Sequence, residues 1–301
     1  FLSLKNHFLS KDNVENLYNQ IKHFFDMSSE VKSKYEFDGF KGQRGYTSFG
    51  KEHAKGKKEG DLKEFWHFGQ YLEDGDKLKF NYPDNPYVDE VPEFNTAGET
   101  TYKALEKTGI YVLRAIALFL ELEENHFDKY VLNGNSILRP IHYPPITKEP
   151  DNAVRAAAHG DINLITLLMG AHGKGLQVRN NKGEWIDAIA GEDEIVVNVG
   201  DMLSRYTNNK LKSTIHRVVN PPRELWGTSR YSIPFFMHPV SDMKLNEKQQ
   251  KSYDQLKQRW DIVSEPHPLI GWHDTAVVIV ESKETGAKMT IGIEPDGSTN
   301  S

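Results

Sequence analysis

The 301-residue chain contains no cysteine. That absence excludes disulfide frameworks, thiolate zinc sites, iron–sulfur clusters and cysteine nucleophiles together, so any metal must be held by nitrogen and oxygen. It does not choose a compartment. Long apolar runs are also missing: the most apolar window, Tyr111–Leu122, carries Arg114 and is too short to span a bilayer, and no basic-then-apolar signal opens the chain. Because it opens on Phe1 rather than Met, a few residues are expected to precede it, which leaves a removed signal open. An excess of positive charge is lacking too. With 37 basic against 43 acidic residues the net charge is -6, so nothing draws the surface to phosphate backbones or anionic lipid. No fixed-period repeat or low-complexity tract is visible. What remains, 38% hydrophobic and 27% charged residues, is the composition of a globular protein. The expectation is a soluble, cytoplasmic monomer with no nucleic-acid or membrane partner.

Along the chain, DNVENLYNQIKHFFDM places Val14, Leu17, Tyr18, Ile21, Phe24 and Phe25 at helical spacing behind Asp12 as the expected N-cap. Residues Phe37–Gly60 are rich in Gly and Lys and read as a loop holding one short strand, and DLKEFWHFG reads as a strand. From Thr100 to about Glu124 a broad apolar stripe predicts a long scaffold helix with Gly109 as a weak point. After residue 135 the texture changes to short apolar runs, Leu164–Met169, Leu176–Val178, Glu194–Val199, Ser213–Val219 and Ser229–Met237, punctuated by Gly, Asn and Asp. Such strands predict a sandwich or barrel and disfavour alternating βαβ units.

His159-Gly160-Asp161 sets an imidazole and a carboxylate two residues apart, hence on one side of an extended chain. Alone this is weak, because 12 histidines make about one His-x-Asp expected by chance. A second pair, His126 and Asp128, falls at the end of the long helix and reads as surface decoration. His159 differs because His216 follows in the alternating strand STIHRVV, and Arg230-Tyr231-Ser232 comes next. Two histidines and one carboxylate on one face of an octahedral ion leave three positions open, the arrangement non-haem Fe(II) uses for a bidentate cosubstrate and O2. Arg230 and Ser232 share a strand face, where a guanidinium and a hydroxyl can grip a carboxylate.

HGDINLITLL, GLQV, GEWIDAI, VVNVGDMLSRYTN, STIHRVVNPP and RYSIPFF together resemble the isopenicillin N synthase-like family of Fe(II)/2-oxoglutarate-dependent oxygenases. The likeness runs nearly unbroken from Arg139 to Pro239, and GQRGYTSFG and DLKEFWHFG extend it toward residue 12. The resemblance implies a mainly β fold with supporting α-helices and a double-stranded β-helix (jelly-roll) core. It implies one domain over 1–301: a helical support region 1–130, a jelly-roll core with the metal site 131–240, and a C-terminal segment 241–301 as a candidate lid. It further implies His159, Asp161 and His216 as iron ligands, and Arg230, Ser232 and Tyr143 as the grip on the distal carboxylate of 2-oxoglutarate. Ile141 stands where many members carry asparagine, which removes one polar contact. The family's opening strand is absent or truncated. The tail from Gly271 reads as two strands, TAVVIVES and KMTIGIEP, where a helix is expected.

Arg155 lies at an even offset from His159 and is a candidate substrate anchor, against a plainer reading as a strand-end arginine reaching solvent or paired with an acid. Arg44 and Tyr46 are further substrate-contact candidates, with a surface-loop reading preferred. Asn198 and Thr166 read as barrel hydrogen-bonders, and residues 51–63 as a solvated charge run. The expected reaction is oxidation of an unactivated C–H of a small molecule, carboxylate-bearing if Arg155 is its anchor. The product is hydroxylated, desaturated or cyclised, with release of succinate and CO2. Two alternatives stay open: a 2-oxoglutarate-independent oxidase in which Arg230 and Ser232 hold the substrate's own carboxylate, and a non-catalytic jelly-roll binding protein.

Overall fold

The computed structural model describes residues 1–37, 42–52, 60–80, 82–150, 153–170, 175–189, 191, 193–241 and 243, and the backbone of four strands beyond residue 259. It opens with β1 (Leu2–Leu4), α1 (Lys11–Asp26), α2 (Ser29–Ser33), β2 (Gly45–Thr47) and β3 (Glu64–His67). Ser10, not Asp12, caps α1: its hydroxyl accepts the Asn13 N–H at 3.2 Å, so the helix starts two residues earlier than an Asp12 cap would give. Leu17, Tyr18, Ile21, Phe24 and Phe25 form its buried face. The short β1 pairs with a barrel strand, so the opening strand is present in reduced form.

The long helix α3 spans Phe94–Phe119, beginning six residues before the expected Thr100 and stopping before Glu121, whose φ of 61° is left-handed. Gly109 is a fit rather than a weakness: a Cβ there would stand 2.5 Å from Met237 Sδ, so glycine lets the helix lie close on the sheet. The short α4 (Asp128–Val131) follows. His126 and Asp128 are not surface decoration, because Phe127 between them is fully buried, His126 Nε2 lies 2.6 Å from the Tyr206 hydroxyl and Arg114 pairs with Asp128 at 2.6 Å.

The remaining strands are β4 (Ile137–Leu138), β5 (Ile141–Tyr143), β6 (Ala156–His159), β7 (Ile165–Met169), β8 (Leu176–Arg179), β9 (Trp185–Asp187), β10 (Ile195–Val199), β11 (His216–Val218), β12 (Arg230–Ser232) and β13 (Pro234–Met237), with the one-turn helix α5 (Asp201–Tyr206) after β10. They form three antiparallel sheets, β1-β10-β7-β13-β4, β6-β11-β8-β9 and β12-β5-β3-β2. Strand alternation sorts their side chains. Ile165, Leu167, Met169, Ile195, Val197, Phe235 and Met237 join α1 and α3 in the main core. The opposite parity faces inward, where Phe65, Ile141, Tyr143, Ala156, Leu176, Val218 and Leu168, drawn from all three sheets, pack together as the barrel interior. This is the jelly-roll enclosure that the resemblance implies.

In the C-terminal segment β14 (Trp260–Pro268), β15 (Ala276–Ser282), β16 (Lys288–Ile293) and β17 (Thr299–Asn300) make a separate antiparallel sheet. The two strands read from the tail are therefore β15 and β16, paired Ala276↔Ile293 through Glu281↔Lys288. The link at 283–287 lies outside the described residues, as do 38–41 of the glycine-rich loop and 53–59 of the charge run. The end of that run is not solvated: Lys63 is buried against Asp61 at 2.9 Å and Glu52 at 2.7 Å.

Candidate metal centre and active site

β6 and β11 are neighbours, with His216 opposite His159, so two histidines 57 positions apart in the chain meet across one ladder. Asp161 follows two residues after β6, in a turn that α5 holds from behind. The Asp201 N–H donates to the Asp161 carbonyl at 2.7 Å and the Met202 N–H to that of Ile162 at 3.0 Å. Gly200 permits this closeness, because a Cβ there would stand 2.1 Å from the Asn163 carbonyl oxygen.

The ligand atoms converge. One ligand atom from each of His159, Asp161 and His216 lies within 4.8 Å of the other two. Asp161 Oδ1 is 3.9 Å from His159 Nε2 and 3.6 Å from His216 Nε2. The other polar atoms are tied elsewhere. His159 Nδ1 contacts the Ala157 carbonyl at 2.7 Å and His216 Nδ1 the Thr214 carbonyl at 3.2 Å, contacts that require the proton on Nδ1 and leave Nε2 as a lone pair. Asp161 Oδ2 accepts from the Thr166 hydroxyl at 2.6 Å and from Asn198 Nδ2 at 2.8 Å. Burial pushes the Asp161 carboxyl upward, but the two imidazoles and these hydrogen bonds more than reverse it, holding it below the usual range as the anion. Desolvation, then the neighbouring His216, lowers the His159 imidazole from its ordinary value. Two imidazole nitrogens and one carboxylate oxygen are a donor set that fits Fe(II).

Arg230 and Ser232 lie on β12 and face the interior, and Arg230 pairs in register with Tyr143 on β5. All three are buried, and Arg230 Nε and Nη1 have no hydrogen-bond partner among the described residues. Its guanidinium lies 5.0 Å from the Tyr143 ring centre. Arg155 is likewise buried, not at the surface, and pairs with no acid among the described residues: its Nη2 donates to the Thr228 carbonyl at 3.1 Å and its Nε is unpartnered.

Arg44 and Tyr46 are not brought to this site. Tyr46 turns into the helix-side core, where its hydroxyl donates to Glu64 and its ring packs edge-on against Phe24. Arg44 is buried over Gly69, whose missing Cβ makes room for the guanidinium. Neither residue is a surface-loop residue, because β2 is drawn into the sheet by β3.

Other residues escaped the sequence reading. Thr166 and Asn198 do more than satisfy the barrel, since both hold Asp161. Arg139 lies between the rings of Phe65 and Phe236, 4.5 and 5.1 Å from their centres, and reaches Glu52 at 3.3 Å. Phe236 pairs in register with Thr166, so this wall adjoins the Asp161 carboxylate. His238, of the same parity, feels both Asp161 and Arg139, and burial pushes its imidazole down to about 4. The alternation that joined Arg230 to Ser232 continues through Pro234 and Phe236 to His238, and backward from Tyr143 through Ile141 to Arg139. That parity was the available signal.

Two imidazoles and one carboxylate at one end of a jelly-roll barrel, with a buried arginine deeper inside, define a non-haem iron oxygenase. Comparison with known proteins narrows this. The model of the 2OG-Fe(II) oxygenase superfamily matches residues 134–239, and that of the N-terminal region of non-haem dioxygenases in morphine synthesis matches residues 1–90. The 2-oxoglutarate-dependent dioxygenase citB of Monascus ruber is 33% identical over 275 residues, covering 87% of this chain and 80% of the relative. A crystal structure of a 2OG-Fe(II) oxygenase family protein from Caulobacter crescentus is 44% identical, with a TM-score of 0.73 over 81% of this chain and 79% of that one. Neurospora crassa T7H, in complex with alpha-KG and thymine, is 33% identical, with a TM-score of 0.69 over 80% of this chain and 76% of that one. The chain belongs to the 2OG-Fe(II) oxygenase superfamily. It is a 2-oxoglutarate-dependent dioxygenase that uses Fe(II), 2-oxoglutarate and O2 around a double-stranded β-helix core. No helix among the described residues is long and apolar enough to cross a membrane.

Proposed function

We propose that His159, Asp161 and His216 hold the Fe(II), that Arg230, Ser232 and Tyr143 hold the distal carboxylate of 2-oxoglutarate, and that the substrate is a small molecule seated against the Arg139 wall. The observation that carries the reading is the convergence of Asp161 Oδ1 and two Nε2 atoms while every other polar atom of the three side chains is tied back into the protein. When bound, Fe(II) with O2 couples decarboxylation of 2-oxoglutarate, giving succinate and CO2, to oxidation of a C–H bond.

The protein's own contribution is positional. Thr166 and Asn198 keep Oδ2 occupied, so Asp161 offers a single oxygen and leaves room for the cosubstrate. Arg230 places the cosubstrate tail in the barrel, where its unpartnered N–H groups meet a carboxylate and water is excluded. Phe65, Phe236 and Arg139 offer the substrate an apolar wall with one guanidinium. Charges there are balanced, Lys63 and Arg139 against Glu52 and Asp61, so the wall does not call for a carboxylate. The active unit is read as one chain, since it supplies every residue named.

Purified protein supplied with Fe(II) and 2-oxoglutarate is expected to release succinate coupled to O2 uptake in a screen of small molecules. Asp161→Ala is expected to abolish metal binding measured by calorimetry, and retention of wild-type metal affinity by that variant would overturn the ligand assignment.

A further inference from the structure

Arg155 and Arg230 are two buried cations that act on each other. Lys32 and Lys63 each sit against carboxylates, Lys32 on Glu64 at 2.8 Å and Lys63 on Glu52 at 2.7 Å. Arg155 is 3% exposed and Arg230 2%, and neither meets an acid among the described residues. Among the described residues five guanidinium nitrogens are buried without a partner: Arg44 Nε and Nη2, over Gly69, and Arg155 Nε with Arg230 Nε and Nη1, which share one neighbourhood. A buried, uncompensated charge is costly enough that two side by side imply a missing anion.

The two guanidiniums lie near one aromatic ring. Arg230 Cζ is 5.0 Å and Arg155 Cζ 5.8 Å from the centre of Tyr143, whose π face favours both cations. Arg155 is also anchored to the chain that carries Arg230, because its Nη2 donates to the carbonyl of Thr228, two residues before Arg230. This puts it at the Arg230 end of β12, on the side away from Ser232. Its Cα lies about 13 Å along the strand from that of His159, so it is at the tail end of any ligand that starts at the triad. A substrate would have to pass the cosubstrate to reach it.

We propose that Arg155 is a second guanidinium of the cosubstrate site, closing with Arg230 on the distal carboxylate of 2-oxoglutarate, and that it does not anchor the substrate. The inference rests on Arg230 binding that carboxylate. Two carboxylate oxygens offer enough lone pairs for both forks. A 2-oxo acid lacking the second carboxylate would leave two buried cations unpaired, so the pair selects for a dicarboxylate.

The test is calorimetric titration of the Mn(II)-loaded protein with 2-oxoglutarate and with 2-oxovalerate, the five-carbon 2-oxo acid that lacks the distal carboxylate. Arg155→Gln is expected to weaken 2-oxoglutarate by roughly 10- to 100-fold, the loss of one charge-assisted hydrogen-bonding group, while leaving 2-oxovalerate unchanged. Wild-type affinity for 2-oxoglutarate in Arg155→Gln, with a loss in Arg230→Gln, overturns the role of Arg155 alone. Wild-type affinity in both variants overturns the Arg230 reading beneath it. Equal loss of both acids in Arg155→Gln marks a structural role and also overturns the proposal. Should Arg155→Gln not fold, a crystal structure of the wild-type complex decides: a distal carboxylate oxygen about 3 Å from an Arg155 nitrogen supports the clamp, and one beyond about 4 Å refutes it.

Discussion

Replacing Thr166 with valine removes one hydroxyl from the barrel interior with little change of shape, and Asn163 Nδ2, which donates to that hydroxyl at 2.9 Å, keeps the Ile165 carbonyl at 3.2 Å as an acceptor. Thr166 is buried and donates to Asp161 Oδ2 at 2.6 Å, leaving Asn198 Nδ2 at 2.8 Å as the other side-chain donor to that oxygen. A hydrogen bond to a charged group contributes about 1.5–3 kcal/mol, and part of that stabilises the carboxylate orientation that the metal requires. Loss of an outer-shell partner of this kind typically lowers metal affinity by about 10- to 100-fold. Thr166→Val is therefore expected to weaken Mn(II) or anaerobic Fe(II) binding by that factor in a calorimetric titration. Its far-ultraviolet circular dichroism is expected to match wild type. Thr166→Ser, which keeps the donor, is expected to retain most of the affinity. A valine variant that folds and binds metal within about twofold of wild type would refute the claim that this hydroxyl orients Asp161.

Three other perturbations test the structure at separate points. Gly200→Ala drives a Cβ to 2.1 Å from the Asn163 carbonyl oxygen and must displace the turn carrying Asp161, so a loss of about 1–3 kcal/mol in urea unfolding and weaker metal binding are expected together. Glu64 accepts from Lys32, Tyr46 and His142 in a buried cluster, and Glu64→Gln strands the Lys32 charge at a cost of about 3–5 kcal/mol; Lys32→Met added to it should recover part of that in thermal melts. Burial holds the His238 imidazole at about 4, against 6.5 when free. The unfolded chain takes up that proton first, so the penalty is absent above pH 6.5 and grows as pH falls toward 4, reaching at most roughly 3 kcal/mol. His238→Gln should flatten this part of the metal-free protein's stability profile, and an unchanged profile would contradict the lowered His238 imidazole.

Local patterns carried far in this chain. The strands at β7, β8, β10, β11, β12 and β13 were legible because short alternating runs bounded by turn residues specify extended chain whatever they pack against. Helix ends were less legible. The start of α1 depends on which of two neighbouring oxygens, Ser10 or Asp12, reaches the third N–H, and that of α3 on the packing of Phe94 and Ala97 rather than on a capping signal. Charged and tyrosine residues misled most. Arg44, Tyr46 and Lys63 sit in a glycine- and lysine-rich stretch that reads as surface, yet each is buried once β2 and β3 join β5.

Residue types and spacing by themselves set the chemistry on offer: without cysteine, a His-x-Asp pair, a distant histidine in a strand and an Arg-x-Ser pair point to a nitrogen and oxygen metal site beside a carboxylate grip, and the resemblance to a family assigned the roles. Tertiary structure decided what each atom of that site does. Hydrogen bonding to the far side of Asp161 comes from Thr166 on β7 and Asn198 on β10, and the buried cation that acts on Arg155 is Arg230, seventy-five positions away. Such pairings depend on sheet register, and register arises only when the whole core closes.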